Sequence, residues 1–93
     1  MIKSFRDSET EKLFNQELVK RIPKDVQKRA LMKLMLLDAA EIESDLESPP
    51  GNRLKKLKGD RKKYFSIRVN DPWRITFQFK DGQAFDVAVE DYH

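Results

Sequence analysis

The hydrophobic pattern of this chain changes its period near residue 51, and few folds accommodate both patterns. Before this point, apolar residues recur at the three- and four-residue spacing of helices; after it, they alternate with polar residues as in strands. Residues 49–51 (Pro-Pro-Gly) separate the halves, because proline lacks an amide donor and disfavours helix in the preceding residue. The 93 residues are therefore expected to form one α+β domain, residues 1–93.

The first half predicts two helices. Ser8 followed by Glu11 is a capping-box pattern, and the helix it opens is expected to reach about Arg21. Pro23 suits the first turn of a second helix, which is expected to end near Asp45. The buried faces are expected to consist of apolar residues at helical spacing: Leu13, Phe14, Leu18 and Ile22 in the first helix, and Val26, Ala30, Leu34 and Leu37 in the second.

The second half predicts three strands joined by short turns. Apolar and polar residues alternate over residues 64–69, 73–79 and 85–89, and Asp81–Gly82 is a hairpin signal. A shorter alternation at residues 2–5 indicates a strand before the first helix. We therefore expect an N-terminal strand and two helices packed on one face of a curved, mainly antiparallel sheet.

The alternation also predicts which side chains face away from the helices. In a hairpin centred near Asp71, Arg68 and Arg74 would be cross-strand neighbours, where like charges repel. Such a pair is stable if the arginines diverge into water or if an anion bridges them. The polar face is expected to hold Tyr64, Ser66, Arg68, Arg74, Thr76 and Gln78. The apolar face of the last strand is expected to hold Phe85, Val87 and Val89.

Positive charge is concentrated in one segment. Residues 53–80 hold ten Lys or Arg and two Asp, a net charge of +8, whereas residues 1–52 have −1 and residues 81–93 have −4. Polyanions bind such a segment by releasing counterions, although a solvated lysine-rich loop gives the same pattern. The chain has no cysteine and one histidine, so we expect no metal and no cofactor. No apolar run can span a bilayer and no signal peptide is apparent, so a cytoplasmic protein without a membrane partner is expected.

Acid–base groups end the chain, where residues 90–93 read Glu-Asp-Tyr-His directly after the last predicted strand. Metal-independent RNA cleavage needs a base for the 2′-hydroxyl, an acid for the leaving 5′-oxygen and cations for the phosphorane-like transition state. His93 titrates nearest neutrality, Asp91 can act as a base, and arginines can clamp phosphate. A frayed, inert terminus is the alternative interpretation.

An ordered set of motifs covers the whole chain. It comprises Pro-Pro-Gly-Asn-Arg-Leu at 49–54, Leu-Lys-Gly-Asp-Arg at 57–61, Tyr-Phe-Ser-Ile-Arg-Val-Asn at 64–70, Trp-Arg-Ile-Thr-Phe at 73–77 and Glu-Asp-Tyr-His at 90–93. Together they resemble the HigB toxins of the RelE/ParE toxin superfamily of type II toxin–antitoxin systems, in a subgroup that includes GraT. The resemblance implies a RelE-like fold and a ribosome-dependent mRNA endonuclease. Such toxins bind 16S rRNA, cut the A-site codon without metal, and are neutralised by a HigA-like helix-turn-helix antitoxin.

By position, the resemblance implies a site on the concave face of the sheet, with Arg74 on the scissile phosphate. Lys55 stands where some members carry a catalytic histidine, which leaves the general base open. The implied catalytic set is Arg74, Asp91, Tyr92, His93, Lys58 and Lys55. Other basic residues are expected to position RNA: Arg53, Lys56, Arg61, Lys62, Lys63 and Arg68. The alternatives are a degenerate, non-catalytic protein that binds the ribosome or an antitoxin, and a ParE-like gyrase inhibitor.

Overall fold

The computed structural model describes residues 1–91 of the chain. Its regular elements are helices α1 (Ser8–Phe14) and α2 (Lys24–Ala39) and strands β1 (Lys55–Lys56), β2 (Phe65–Arg68), β3 (Trp73–Lys80) and β4 (Gln83–Asp91). The strands form one antiparallel sheet in the order β1-β2-β3-β4. The predicted α+β class, with helices followed by an antiparallel sheet, is confirmed. No helix within residues 1–91 has the length and apolar character needed to cross a bilayer.

The core lies between the helices and one face of the sheet. The α2 residues predicted to be buried are all at 3% exposure or less: Val26, Ala30, Leu34 and Leu37. The sheet contributes fully buried residues from its three long strands: Ile67, Ile75, Phe77, Val87 and Val89. Because burying apolar surface is the main favourable term in folding, this layer holds the sheet against α2 and leaves the opposite face to polar side chains. We call that opposite side the polar face.

The first helix is shorter than predicted. It ends at Phe14 rather than near Arg21, because Gln16 adopts a left-handed φ of 66° that cannot continue a right-handed helix. Leu18, predicted to be buried, is 82% exposed, whereas Ile22 is buried as predicted. Apolar residues thus keep the helical spacing in a segment that is not helical.

The helix caps also differ from the prediction. Asp7, not Ser8, caps α1, and its Oδ1 accepts a hydrogen bond of 2.7 Å from the amide of Thr10. Pro23 is the N-cap residue of α2 and precedes its first turn. Both predicted starts were therefore wrong by one residue.

The second helix ends at Ala39, well before the predicted Asp45. The carboxylate of Asp45 accepts hydrogen bonds from the amides of Glu41 and Ile42, at 2.9 and 3.1 Å. These bonds stabilise a separate 3₁₀ turn at Glu43–Glu47, because a short acidic side chain competes with the helix for backbone donors.

The N-terminal segment lies along β4. Ile2 and Phe5 form isolated parallel bridges to this strand. Between the bridges, the amide of Asp86 donates to Oγ of Ser4 at 2.9 Å instead of to a backbone carbonyl. Asp86 has a φ of 53° and lies in a β-bulge, where the β3–β4 register shifts. The predicted first strand therefore consists of two bridges on either side of a bulge.

The three predicted strands of the second half are present, and β1 adds a short fourth strand that the sequence did not indicate. Asp81 and Gly82 form the β3–β4 turn with φ values of 52° and 74°, the combination of a type I′ hairpin turn. The bulge changes the predicted position of Phe85. This residue pairs with Gln78, and its neighbour Ala84 is fully buried in its place.

Candidate active site and basic clefts

Arg74 is held rigidly at the edge of the polar face. Its Nε donates to Oγ of Ser66 on β2 at 2.9 Å, and its Nη2 donates to the carbonyl of Arg53 at 2.9 Å. Ser66 is fully buried and Arg74 is only 9% exposed. Two bonds in different directions orient the plane of a guanidinium that remains charged at every physiological pH.

The carbonyl of Arg53 is positioned by the turn before it, Pro50–Asn52. Asn52 is fully buried and donates from Nδ2 to the carbonyls of Leu46 and Ser48, both at 3.2 Å. Its Oδ1 accepts a hydrogen bond from Nζ of Lys33 on α2, and burial lowers the pKa of this lysine. The Pro-Pro-Gly-Asn-Arg motif therefore anchors the loop that supports Arg74.

A cleft of about 150 Å³ opens beside Arg74. Lys55 of β1 pairs with Ser66 in the sheet, and Ser66 in turn contacts Arg74. The cleft is lined by Lys55, Leu57, Ser66, Asn70, Asp71, Pro72 and Arg74. The structure thus brings together two residues of the predicted catalytic set, and an ammonium and a guanidinium around a small polar cleft can stabilise a phosphate.

The two arginines predicted to be neighbours are indeed paired, Arg68 opposite Arg74. Nε of Arg68 donates to Oδ1 of Asp71 at 3.2 Å, and this hydrogen bond together with the charge of Arg68 lowers the pKa of Asp71. Arg74 is directed to Ser66 instead. Each arginine therefore has its own partner, and the buried Arg74 does not diverge into water.

Lys58 lies in a different cleft, of about 860 Å³, near the β3–β4 hairpin. Leu57 lines both clefts. The structure therefore places Lys58 and Arg74 on the linings of two clefts that share Leu57, and the catalytic role predicted for Lys58 stays a prediction. It groups this lysine with three residues predicted to position RNA: Lys56, Lys62 and Lys63.

A charged cluster surrounds Glu90, which pairs with Arg74 in the β3–β4 register. Arg61 donates to both carboxylate oxygens, at 2.6 and 3.3 Å, and Arg6 donates to one of them at 3.2 Å. The hydroxyl of Thr76 donates to the same carboxylate and accepts from both arginines. Burial alone would raise the pKa of Glu90, but the hydrogen bonds and charges of these partners outweigh it and lower the pKa.

Tyr64 extends this cluster across the polar face. Two guanidiniums lie over its ring, with Cζ of Arg6 at 5.0 Å and Cζ of Arg61 at 5.5 Å from the ring centroid. Its hydroxyl donates to Oδ2 of Asp86 at 3.2 Å, and Gln78 donates to the same oxygen at 3.0 Å. Arg61, predicted to position RNA, is thus also part of the internal network of the sheet.

The end of β4 leads the chain past Arg74. Asp91 pairs with Trp73 at the end of the strand. Because successive strand residues point to opposite faces, Glu90 and not Asp91 shares the face of Arg74. The role predicted for Asp91 stays a prediction. The other two predicted residues at this terminus lie outside the described part of the chain: Tyr92 and His93.

Sequence reasoning assigned no role to three members of the charged cluster. Strand parity could have identified Glu90, because it alternates with the buried Val89 and therefore faces away from the core. Thr76 was predicted on the polar face without a partner. Arg6 gave no signal, because it lies 84 residues from Glu90 in the chain.

Comparison with known proteins agrees with this architecture. A family model described as the RelE-like toxin of the type II toxin–antitoxin system HigB matches residues 3–93. A Vibrio cholerae serotype O1 protein named Toxin HigB-1 is 40% identical over 91 residues, 97% of this chain and 96% of the relative. A Proteus vulgaris protein named Endoribonuclease HigB is 39% identical over 93 residues, 100% of both chains.

An uncharacterized protein of Haemophilus influenzae is 31% identical over 70 residues, 75% of this chain and 69% of the relative. The family match extends over nearly the whole chain, and so does the similarity to the two HigB proteins. The helices, the antiparallel sheet and the basic polar face therefore have a common explanation: this chain belongs to the HigB-like family of RelE-like toxins of type II toxin–antitoxin systems.

Proposed function

We propose that this toxin is an endoribonuclease that cuts mRNA bound to the ribosome. The observation that carries the proposal is the fixed guanidinium of Arg74 beside the ammonium of Lys55 in one small cleft. A permanently charged, oriented donor can stabilise charge that develops on a phosphate in the transition state. Full-length similarity to a protein named Endoribonuclease HigB supports the same assignment.

In the proposed reaction, the 2′-oxygen attacks the adjacent phosphorus and the bond from phosphorus to the 5′-oxygen breaks. A base removes the proton of the 2′-hydroxyl, and an acid protonates the leaving oxygen. We assign these transfers to His93 and Asp91, and stacking on a base to Tyr92. Arg74 would neutralise the phosphorane-like transition state, and Lys55 would add positive charge.

The ribosome would be both the partner and the source of substrate orientation. Holding the message in a reactive geometry can supply a large part of the barrier, so few catalytic groups are needed on the toxin. Lys58 and the remaining basic residues would bind phosphates of the message and of 16S rRNA: Arg53, Lys56, Arg61, Lys62, Lys63 and Arg68. The toxin would act in the cytoplasm, and its antitoxin would be a HigA-like helix-turn-helix protein.

The decisive experiment is expression from a tight promoter followed by mapping of mRNA 5′ ends. The wild-type toxin should produce cuts in phase with codons. Arg74→Lys keeps the positive charge but loses the guanidinium, whose two hydrogen bonds orient it. Cutting should fall by roughly 10²–10³-fold, as it does when one transition-state donor is removed. Arg29→Lys on the exposed side of α2 is the matched control and should cut like the wild type.

Removal of residues 92–93 is a second, independent test of the proposed function. Cutting should disappear while sedimentation with ribosomes persists, because the basic residues outside the tail would supply most of the affinity for the ribosome. Growth arrest by the wild-type toxin without any mRNA cuts would contradict the proposal. Arrest accompanied by gyrase–DNA cleavage complexes would indicate a gyrase inhibitor, and ribosome binding without cuts would indicate a non-catalytic toxin.

A further inference from the structure

The cleft of about 860 Å³ near the β3–β4 hairpin supplies lysines to the RNA binding proposed above, but its aromatic side chains have no role there. Its volume lies within the roughly 300–1,000 Å³ typical of ligand sites. Its rim carries five lysines and one acidic residue, Glu43. Within residues 1–91, none of these lysines takes part in an ion pair. The five are Lys56, Lys58, Lys62, Lys63 and Lys80.

Aromatic rings line the same cleft. Phe79 and Phe85 are half-buried, so part of each side chain faces the opening. Phe79 is anchored by an edge-to-face contact of 6.4 Å with the fully buried ring of Phe77. Phe65 lies 5.9 Å from Nζ of Lys56. Cations beside partly exposed rings are the arrangement with which proteins hold unpaired nucleic-acid bases.

The β-bulge at Asp86 places Phe85 in this cleft. Regular alternation would direct Phe85 to the core beside Val87, but the register shift pairs it with Gln78 instead. Gln78 also lines the cleft and stands four residues after Arg74 on β3, about 13 Å along the strand at the usual rise per residue. Arg74 and Gln78 therefore lie on the same strand and the same face of the sheet, so an RNA strand that follows β3 would contact both clefts.

We infer that the aromatic cleft binds unpaired RNA nucleotides adjacent to the cut, with the lysines on phosphates and Phe85 stacked on a base. The inference rests on the proposed function and names a second subsite for the same substrate class. The lysines favour a polyanion. The exposed rings favour unpaired bases over a duplex, whose bases are already stacked, and an acidic peptide would leave the rings unused.

The test measures the affinity of purified toxin for a short, uncleavable 2′-O-methyl RNA, single-stranded or as a fully paired duplex, by fluorescence anisotropy. Phe85→Ala should weaken single-strand binding by about tenfold, the loss of one stacked base, and leave duplex binding unchanged. Phe85→Tyr retains the ring and should bind like the wild type. This conservative variant separates loss of stacking from loss of structure.

Two double variants test the contribution of the lysines to RNA binding. Lys62→Ala with Lys80→Ala should weaken the binding of both RNAs. It should also reduce the magnitude of the slope of log affinity against log salt by about 1.4, corresponding to two phosphate contacts on a single strand. Lys12→Ala with Lys20→Ala removes two exposed lysines that do not line the cleft and should change neither quantity.

Cross-linking on ribosomes distinguishes the two sources of unpaired RNA. A message carrying 4-thiouridine beside the cut codon should cross-link to the peptide that contains Phe85 if the strand is mRNA. Cross-links from 16S rRNA to that peptide would identify ribosomal RNA as the source, and both results support a single-strand site. Absence of both cross-links overturns it.

Unchanged single-strand affinity in a folded Phe85→Ala variant also overturns the inference. The inference is also overturned if the Phe85→Ala variant loses antitoxin binding but keeps its RNA affinity, because the cleft would then be a protein-docking surface. The proposed function can be overturned independently of this subsite. If wild-type toxin binds the RNA through Phe85 but never cuts mRNA on ribosomes, the subsite stands and the nuclease assignment falls.

Discussion

Glu90 shows how a single residue organises the polar face. Its carboxylate is held by Arg61, Arg6 and Thr76, and the folded state therefore favours the ionised form. The pKa of Glu90 in the folded protein lies below its ordinary value of 4.5. A carboxylate with a lowered pKa contributes stability above its unfolded-state pKa and loses it as the pH falls through the folded-state pKa.

We expect Glu90→Gln to lower the free energy of unfolding by about 2 kcal/mol near neutral pH, the usual contribution of charged hydrogen bonds. The difference from the wild type should shrink as the pH falls below 4.5, because wild-type Glu90 becomes protonated as well. Urea denaturation across an acidic pH series measures both effects. Glu17→Gln, at an exposed position, is the control, and a difference independent of pH would contradict the ion-pair explanation.

At the level of elements, residues 18–22 follow α1 in the chain but are held by side-chain hydrogen bonds and not by helical bonds. Gln27 of α2 is buried and donates from Nε2 to the carbonyls of Val19 and Ile22, at 2.7 and 2.6 Å. Its Oε1 accepts from the amide of Val19 at 3.3 Å. One amide side chain thus satisfies backbone groups that a longer α1 would have paired internally.

Gln27→Leu should lower the free energy of unfolding by about 3 kcal/mol, because buried backbone groups lose their partners while the side-chain volume is nearly kept. Denaturant unfolding measures the loss. Hydrogen exchange followed by mass spectrometry should show that the variant exchanges faster than the wild type in residues 15–23, with a smaller increase in β3. Lys28→Leu at the next, exposed position is the matched control, and equal losses in both variants would exclude the specific role of Gln27.

At the level of the whole molecule, charge is segregated along the chain. The net +8 of residues 53–80 covers β1, β2, β3 and the loops between them, and thus forms the rims of both clefts. The acidic residues nearest to it are largely engaged in pairs, such as Asp71 with Arg68 and Glu90 with Arg61. The side of the toxin that carries both clefts is therefore positive, with an internal network that keeps its arginines in place.

The affinity of the toxin for single-stranded RNA should fall by about 100-fold when monovalent salt rises from about 50 to 200 mM, if five phosphates are contacted. Anisotropy titrations at a series of salt concentrations give the slope directly. Affinity that does not respond to salt would show that this surface does not bind the phosphate backbone.

Much of this fold could be predicted because local rules govern it. The alternation of β2 and β3, the Asp81–Gly82 turn and the Arg68–Arg74 pairing follow from neighbours in the sequence and were confirmed. The errors arose where a distant group intervenes. The periodicity predicted α1 past Gln16 because a helical pattern does not reveal that the buried amide of Gln27 binds this segment. The alternation misplaced Phe85 because the bulge beside it involves a hydrogen bond to the distant Ser4.

The sequence by itself determined the α+β order, the polar face of the sheet and membership of the HigB-like family, since these depend on periodicity and on ordered motifs. Only the tertiary structure decided which polar groups meet. It joined Arg61 to Glu90, and it placed Lys58 and Arg74 on the linings of different clefts. Hydrogen bonds and ion pairs form between atoms a few ångströms apart, and the folding of distant segments sets those distances.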